Sequence, residues 1–449
     1  MSQAPHDALY SGYHHRPKAA VANPLTQTAP GTDGGEYLRR YWHPIALSSE
    51  VGTLPKAIRI LSEDLVLFRE RGGKLGLLHR QCIHRGASLE FGIPQERGIM
   101  CCYHGWVFDT TGAVLSVGAE PETSRIPANF GQGAYPVREL HGMIFAYMGP
   151  PESMPEFPIY DTFLHPADNE LVPLKLTIPC NWLQIVENAC DPIHNAYLHA
   201  IVSGEQFSAA FKVQPALDFV ETPMGFLSMA TRHVKDKVYI RASDIMLPNV
   251  AQFAAGSNDA SLECFNISCG LTRWVVPIDD EHSLYIGYGH YNARTEQFRR
   301  APAEELGVDR MGFIGQTADR PYEERQMEPG DYDALVSQGS IANHQAEHLG
   351  TTDRGIVMFR RMLGRAIEAV RTGEIPAKPR VYADGPVRTY NHEVVMTLPS
   401  QANVGKQALA DFGRRAAQIV IDTDTLPPLE RETVARQRVA DLMTGSLVA

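Results

Sequence analysis

Long apolar runs are missing from this 449-residue chain. No stretch approaches the roughly 20 apolar residues that a membrane-spanning helix needs, and the N-terminus carries no apolar signal core. A membrane is therefore excluded as a partner. Blocks of Lys or Arg are also absent and the net charge is −11, which leaves nucleic acid and anionic membranes without an electrostatic handle. No internal repeat is evident. Cysteine is scarce, seven in all, and the count is odd, which excludes a disulfide-stapled secreted scaffold. Cys102, Cys180, Cys190, Cys264 and Cys269 are expected to be reduced, mostly buried thiols of a cytoplasmic protein. The length exceeds ordinary single-domain size and predicts at least two domains.

The other two cysteines sit in a pattern. Cys82-Ile83-His84 is followed, after sixteen residues, by Cys101-Cys102-Tyr103-His104, with Gly105-Trp106 directly after. Each loop offers one thiolate and one imidazole. Such a set suits a Rieske [2Fe-2S] cluster in which two Cys hold one iron and two His the other, the neutral imidazoles raising the reduction potential. The rival is a structural Cys2His2 zinc site. Zinc fingers pair Cys with Cys and His with His, so mixed loops favour the cluster.

Residues 1–35 are rich in Gly, Pro, Ala, Thr and His without apolar periodicity and read as an arm, disordered or nearly so. His14-His15 within it are expected to be solvated. Residues 36–155 read as an all-β domain, with strands expected at Ile58–Leu61, Leu65–Phe68, Leu75–His79, Ile99–Cys102, Val107–Asp109 and Ala113–Val117. Both Cys/His loops fall at hairpin tips. A Pro-rich linker runs from Met148 to Pro158. Residues 156–449 read as a mixed domain, an antiparallel sheet flanked by helices, so the fold class is α+β. Its strands include Leu262–Cys269, Thr272–Val276 and Ser283–His290. A helix over Asp353–Thr372 places Ile356, Phe359, Leu363, Ile367 and Val370 on one face.

A second constellation follows the linker. Asn181-Trp182 opens a helical stretch through Glu187 and Asn188 to Cys190, then Asp191-Pro192-Ile193-His194 and His199. Five residues subtend about 140° on an ideal helix, so His194 and His199 can share one metal only if the helix breaks or bulges. Otherwise Asp191 is an N-cap before an N1 proline and both His are core or surface residues. A Rieske centre delivers single electrons, and a suitable receiver is an oxygen-activating iron held by two His and one carboxylate. Asp331, Asp333 and Asp353 compete for the carboxylate position. Asp353 has a capping role at the start of its helix; Asp331 is preferred and Asp333 is held in reserve. His344 and His348, at i and i+4, are read as helix packing or surface residues. An acid substrate would need a cation in the pocket; Arg232, Arg241 and Arg273 lie in the β-rich region, where each is expected at the surface.

Tyr41-Trp42-His43-Pro44, Cys82-x-His84-Arg85-Gly86, Cys101-x-Tyr103-His104-Gly105-Trp106, Asn181-Trp182, Glu187-Asn188 and Asp191-x-x-His194 with His199 together resemble Rieske non-haem iron aromatic ring-hydroxylating oxygenases. The likeness is to the α-subunit of the phthalate dioxygenase-like branch and covers residues 36 to 400. It implies that Cys82, His84, Cys101 and His104 hold the cluster and that His194, His199 and Asp331 bind mononuclear Fe(II). It implies that Asp191 bridges from His194 to His104 of the partner subunit in a homotrimer or a multiple of trimers. It further implies O2 as co-substrate, a small aromatic substrate, aromatic acids included, and NAD(P)H electrons arriving through a separate flavin/iron–sulfur reductase or ferredoxin. Ring dihydroxylation, monooxygenation and O-demethylation all fit. A Rieske electron carrier without oxygenase activity is the alternative. Ile83 and Cys102 depart from the proline common in relatives, and Ala342-Asn343-His344 replaces a usual Asp-Arg.

Overall fold

The computed structural model describes residues 23–446 apart from 119, 122–129, 205, 255–258, 297–301, 313, 375–384, 400–401 and 403. His14 and His15 lie outside the described residues. From Asn23 onward the segment expected as an arm is packed. Thr28 is fully buried and donates both its N–H (2.8 Å) and its hydroxyl (2.7 Å) to Asp280 Oδ1. Thr32 caps helix α1 (Asp33–Leu38), where a Cβ on Gly35 would meet Ala29 O at 2.1 Å. Composition alone hid this, because the segment is held by polar and backbone contacts instead of an apolar stripe.

The N-terminal strands are β1 (Trp42–Leu47), β2 (Lys56–Ile60), β3 (Glu63–Arg69), β4 (Leu75–His79), β5 (Ile93–Pro94), β6 (Ile99–Met100), β7 (Trp106–Phe108), β8 (Val114–Val117), β9 (Ala134–Tyr135), β10 (Val137–Leu140) and β11 (Met143–Tyr147). They form three antiparallel sheets in the orders β1-β11-β10, β2-β3-β4-β9 and β5-β6-β7-β8. Every residue of β1 and of β11 is buried. Their outer face meets the next region, where Phe145 packs edge-on to Trp274 with ring centroids 5.6 Å apart. One apolar core therefore runs across the Met148–Pro158 segment.

Beyond it lie β12 (Glu170–Ile178), helix α2 (Trp182–Cys190), β13 (Ala216–Thr222), β14 (Gly225–Val234), β15 (Lys237–Met246), β16 (Val250–Phe253), β17 (Cys264–Asn266), β18 (Leu271–Pro277), β19 (Ser283–Tyr291), helices α3 (Asp331–Val336) and α4 (Arg354–Arg371), β20 (His392–Thr397), and helices α5 (Lys406–Asp422) and α6 (Pro428–Ser446). The sheet runs β12-β19-β18-β16-β15-β14-β13, with β20 added between β15 and β17. Helices flank it, so the fold is α+β. The β18–β19 hairpin closes through Asp279, whose Oδ1 accepts from the N–H groups of Glu281 and His282.

Helix α2 is the keystone. Asn181 caps it by accepting from Leu183 N at 3.0 Å and donates its amide to Thr26 O and Asp280 O. Gln184 donates to Leu335 O and Gly339 O and accepts from Ala342 N. The helix thus fixes α3 beside it. The stretch around His344 and His348, expected to be helix packing or surface, is irregular, with His344 half-buried and His348 exposed. There Arg360 binds Glu187 at 2.5 and 2.7 Å and Glu347 at 2.6 and 3.1 Å.

Candidate metal centres

The first centre is built by two matched loops. Cys82 N donates to Ala87 O and Gly86 N returns to Cys82 O; Cys101 N donates to Trp106 O and Gly105 N returns to Cys101 O. Each loop turns on a left-handed glycine, Gly86 at φ +75° and Gly105 at φ +69°, a conformation that costs residues with a Cβ. Gln132 staples the first loop, accepting from Ile83 N and donating to His79 O and Gln81 O, all at 2.8 Å.

The loops bring two buried thiols against each other at the bottom and two half-buried imidazoles together at the top. Cys82 and Cys101 are 3% and 2% exposed, and the His84 and His104 rings lie 4.6 Å apart. His84 also stacks on Trp106 at 4.6 Å and 5°. No three of the four donors lie within 4.8 Å of one another. A single tetrahedral zinc, with metal–sulfur bonds of about 2.3 Å, would draw them closer. The spread, with sulfurs inside and nitrogens outside, suits a two-iron cluster. Burial pushes the Cys82 thiol up to about 11, so metal binding there must release a proton. Of the five thiols expected to be mostly buried, Cys102 is exposed.

The second centre forms where α2 ends. Asp191 Oδ1 accepts from Ile193 N at 2.8 Å and starts a short helical turn at His194. The expected break follows as a widened π turn over Tyr197–Val202, with Ser203 N reaching back to Leu198 O. Bonds closed i to i+5 stack residues five apart, so His194 and His199 face one another with ring centroids 5.3 Å apart. Asp331, the first residue of α3, completes the group: its Oδ1 lies 3.1 Å from His199 Nε2 and 3.7 Å from His194 Nε2. Donors about 3 Å apart suit adjacent positions on one metal with bonds near 2.1 Å.

The surroundings aim these donors. His199 Nδ1 pairs with Gln206 Oε1 at 2.8 Å, and His194 Nδ1 with the main-chain oxygen of Asp191, leaving both Nε2 atoms for a metal. The Asp191 carboxylate, expected to bond His194, stays 3.8 Å from Nδ1. Asn188 donates to Asp331 Oδ1 at 3.0 Å and Gln316 to Oδ2 at 2.9 Å. Burial would raise the Asp331 carboxyl, but His199, His194 and Gln316 hold it well below the usual carboxylate range. Burial also lowers His194, against the pull of Asp331, favouring the neutral imidazole that a ligand requires.

The reserve carboxylate is placed elsewhere. Asp333 accepts from Gly330 N at 2.9 Å and from Arg325 at 2.6 Å. Asp353 bonds Gly350 N ahead of α4. Glu187, His344 and Glu347 also converge, but Arg360 occupies their centre as the cation.

His194, His199 and Asp331 open onto a cavity of about 1270 Å³ of empty space, its mouth included. Phe207, Phe253 and Tyr285 line it, as do Arg232, Arg241 and Arg273. The arginines, expected at the surface, are a correction: Arg232 and Arg273 are 1% and 6% exposed. The legible signal was alternation with small residues. Ser228, Ala230 and Arg232 on β14, and Arg241 and Ser243 on β15, share the face that lines the cavity. Gln206 and Gln316 carried no such signal.

Residues 41–129 match the Rieske [2Fe-2S] domain family, and residues 146–381 match the family described as LigXa C-terminal domain like. The chain is 41% identical to the tert-butanol monooxygenase / tert-amyl alcohol desaturase oxygenase subunit of Aquincola tertiaricarbonis, over 98% of each chain. It is 37% identical to the phenoxybenzoate dioxygenase subunit alpha of Ectopseudomonas oleovorans, over 83% of this chain and 91% of that one. Its fold is shared with Pseudomonas putida CBB5 NdmA with caffeine, at a TM-score of 0.56 and 19% identity, covering 76% of this chain and 94% of that one.

Proposed function

The chain belongs to the Rieske non-haem iron oxygenases, as the oxygenase component, and on that premise we propose the role of each residue and the kind of substrate. Cys82 and Cys101 hold one iron of the cluster and His84 and His104 the other. His194, His199 and Asp331 hold the Fe(II). When bound, the two metals supply electron storage and dioxygen activation. The protein's share is placement. Gln206 and the Asp191 main chain orient the two imidazoles, while Asn188 and Gln316 turn Asp331 Oδ1 toward the metal and hold Oδ2 away. The remaining side of the site faces the cavity, so a substrate lying there sits beside the reactive position.

The substrate we infer is an aromatic acid, hydroxylated by ring dihydroxylation, monooxygenation or O-demethylation. The observation carrying this reading is that the cavity beside His194, His199 and Asp331 is lined by aromatic rings and three arginines. Electrons come from NAD(P)H through a separate flavin/iron–sulfur reductase or a ferredoxin. We infer a head-to-tail homotrimer, or a multiple of trimers, in which Asp191, with a quarter of its side chain exposed beside His194, meets His104 of the partner subunit. The division into a cluster domain over 36–155 and a catalytic domain over 156–449 belongs to the same reading.

Iron and acid-labile sulfide per chain, measured on anaerobically purified protein with an EPR spectrum after dithionite reduction, test it. Three irons to two sulfides with a Rieske signal are expected, and O2 uptake stimulated by 3-phenoxybenzoate in the presence of a reductase. Two irons after Fe(II) reconstitution would overturn the mononuclear assignment. Stimulation by tert-butanol and by no aromatic acid would overturn the substrate class.

A further inference from the structure

The cavity is bounded at one end by a part that does not belong to the large sheet. A short hairpin, Leu306–Gly307 with Arg310–Met311, sets Leu306 opposite Met311. Directly opposed residues share a face, and both of these side chains line the cavity. Val308, Asp309 and Arg310, around the tip, are exposed.

Two anchors hold the hairpin in place. At its tip Asp309, in the left-handed region at φ +55°, donates its N–H to Lys175 O on β12 at 2.7 Å. Downstream, Gly315 O accepts from Tyr332 N in α3 at 3.0 Å, and a Cβ on Gly315 would meet Gly330 Cα at 2.6 Å. Gln316, the next residue, is the one that bonds Asp331. The hairpin is thus clipped to an edge strand on one side and to the start of α3 on the other.

The sheet makes room for it. Phe253, Leu271 and Gly289 form one register row across β16, β18 and β19, and all three line the cavity. A Cβ on Gly289 would lie 2.6 Å from Leu306 Cδ1 and 3.0 Å from the Tyr291 ring. Gly287, two residues back, differs: its Cβ would strike Thr272 O at 2.1 Å, which is a demand of the backbone. Gly289 instead clears the floor for a side chain arriving from the hairpin. A glycine inside a strand gives up packing and marks such a close approach.

This end of the cavity is apolar. Leu174 and Tyr291 flank Leu306 and Met311. Thr295 and His290 add no charge, since burial lowers His290 to about 3. A ring or an alkyl tail fits these neighbours, whereas an ionised group would find no counter-charge among them.

We propose that Leu306 and Met311 determine specificity, as the end wall against which the apolar far end of the substrate stops. They set the length that the cavity accepts. This rests on the cavity being the substrate site, as read above, and names the residues that measure the substrate within it.

Isothermal titration of the purified oxygenase with two ligand series tests this without turnover: benzoate against 3-phenoxybenzoate, and tert-butanol against 2-methyl-2-octanol. The readout is the ratio of long to short affinity within a series. Leu306→Phe brings the wall inward and should lower that ratio at least about tenfold, the effect of one methylene too many in an apolar pocket. Leu306→Ala sets the wall back and should raise it. Met311→Phe repeats the first test from the opposite strand. The Rieske EPR signal and the melting temperature of each variant check folding. A merely structural role would weaken long and short ligands by the same factor. An unchanged ratio in folded Leu306→Phe and Met311→Phe, or a lowered ratio in Leu306→Ala, would overturn the proposal. Binding of the alcohols alone would end the aromatic-acid reading, while the alcohol ratio would still decide the role of the wall. No saturable binding in either series, on iron-replete protein, would overturn both.

Discussion

Asp331 Oδ1 lies 3.1 Å from His199 Nε2, though 132 positions separate the residues along the chain. Two local devices make that meeting: the widened turn that swings His199 inward and Gln184, which ties α2 to the end of α3. The carboxylate two residues on serves the helix instead. Asp331→Ala should therefore keep two irons and two sulfides per chain with an intact Rieske EPR signal, while losing the third iron and turnover. Asp333→Ala removes a cap and the Arg325 ion pair, which costs about 1 kcal/mol of stability, and should retain most of its mononuclear iron. The reverse pattern in iron counts would exchange the two roles.

Gln206 orients His199 through one bond to Nδ1. Gln206→Leu strands that N–H in a buried site and should weaken mononuclear iron binding by about 10–100-fold. Its amide nitrogen has no partner of its own, so Gln206→Glu loses no hydrogen bond and keeps an acceptor for Nδ1. Anaerobic Fe(II) titration of metal-depleted protein reads this directly. Equal affinity of the Leu and parent proteins would show that the turn alone holds the ring.

The gathering of Cys82, His84, Cys101 and His104 was legible because it is local: four donors in two short loops, with a glycine closing each. His194 and His199 were legible for the same reason. Choosing between Asp331 and Asp333 required a contact distant in sequence; Asp333 instead accepts the N–H of Gly330, three residues back, at the start of α3. The arginines failed for another reason. An arginine in a strand is normally a surface residue, and its burial depends on which sheet face the rest of the chain covers. The packing of residues 23–32 escaped too, since Thr28 is buried by one aspartate distant in sequence.

Gln132 holds the Cys82 loop from a buried position through three hydrogen bonds. At about 1 kcal/mol each, their loss in Gln132→Ala outweighs the removal of one side chain. Acid-labile sulfide per chain should fall while mononuclear iron stays at parent level. Loss of both metals together would mean that the loop also supports the catalytic region.

Asp244 is fully buried; its Oδ2 accepts from Tyr390 N at 2.8 Å, and its Oδ1 has no partner. Burial raises its carboxyl to about 7, with Asp161 adding to the rise and Tyr390 N–H and Arg431 opposing it. Between about pH 4 and pH 7 the folded protein thus keeps a proton that the unfolded chain releases, so this group subtracts stability as pH rises through that window. Each tenfold gain in proton affinity on folding is worth about 1.4 kcal/mol, and the cost levels off above the folded value. Asp244→Asn removes the titration while keeping the shape. Thermal unfolding of variant and parent at four pH values should show a melting-temperature difference that shifts in the variant's favour from about pH 4 to about pH 7 and is flat beyond. An amide left unpaired at the Oδ1 position would lower the variant equally at every pH, so the slope carries the test and the offset does not. A difference independent of pH would mean that Asp244 stays ionised in the folded protein.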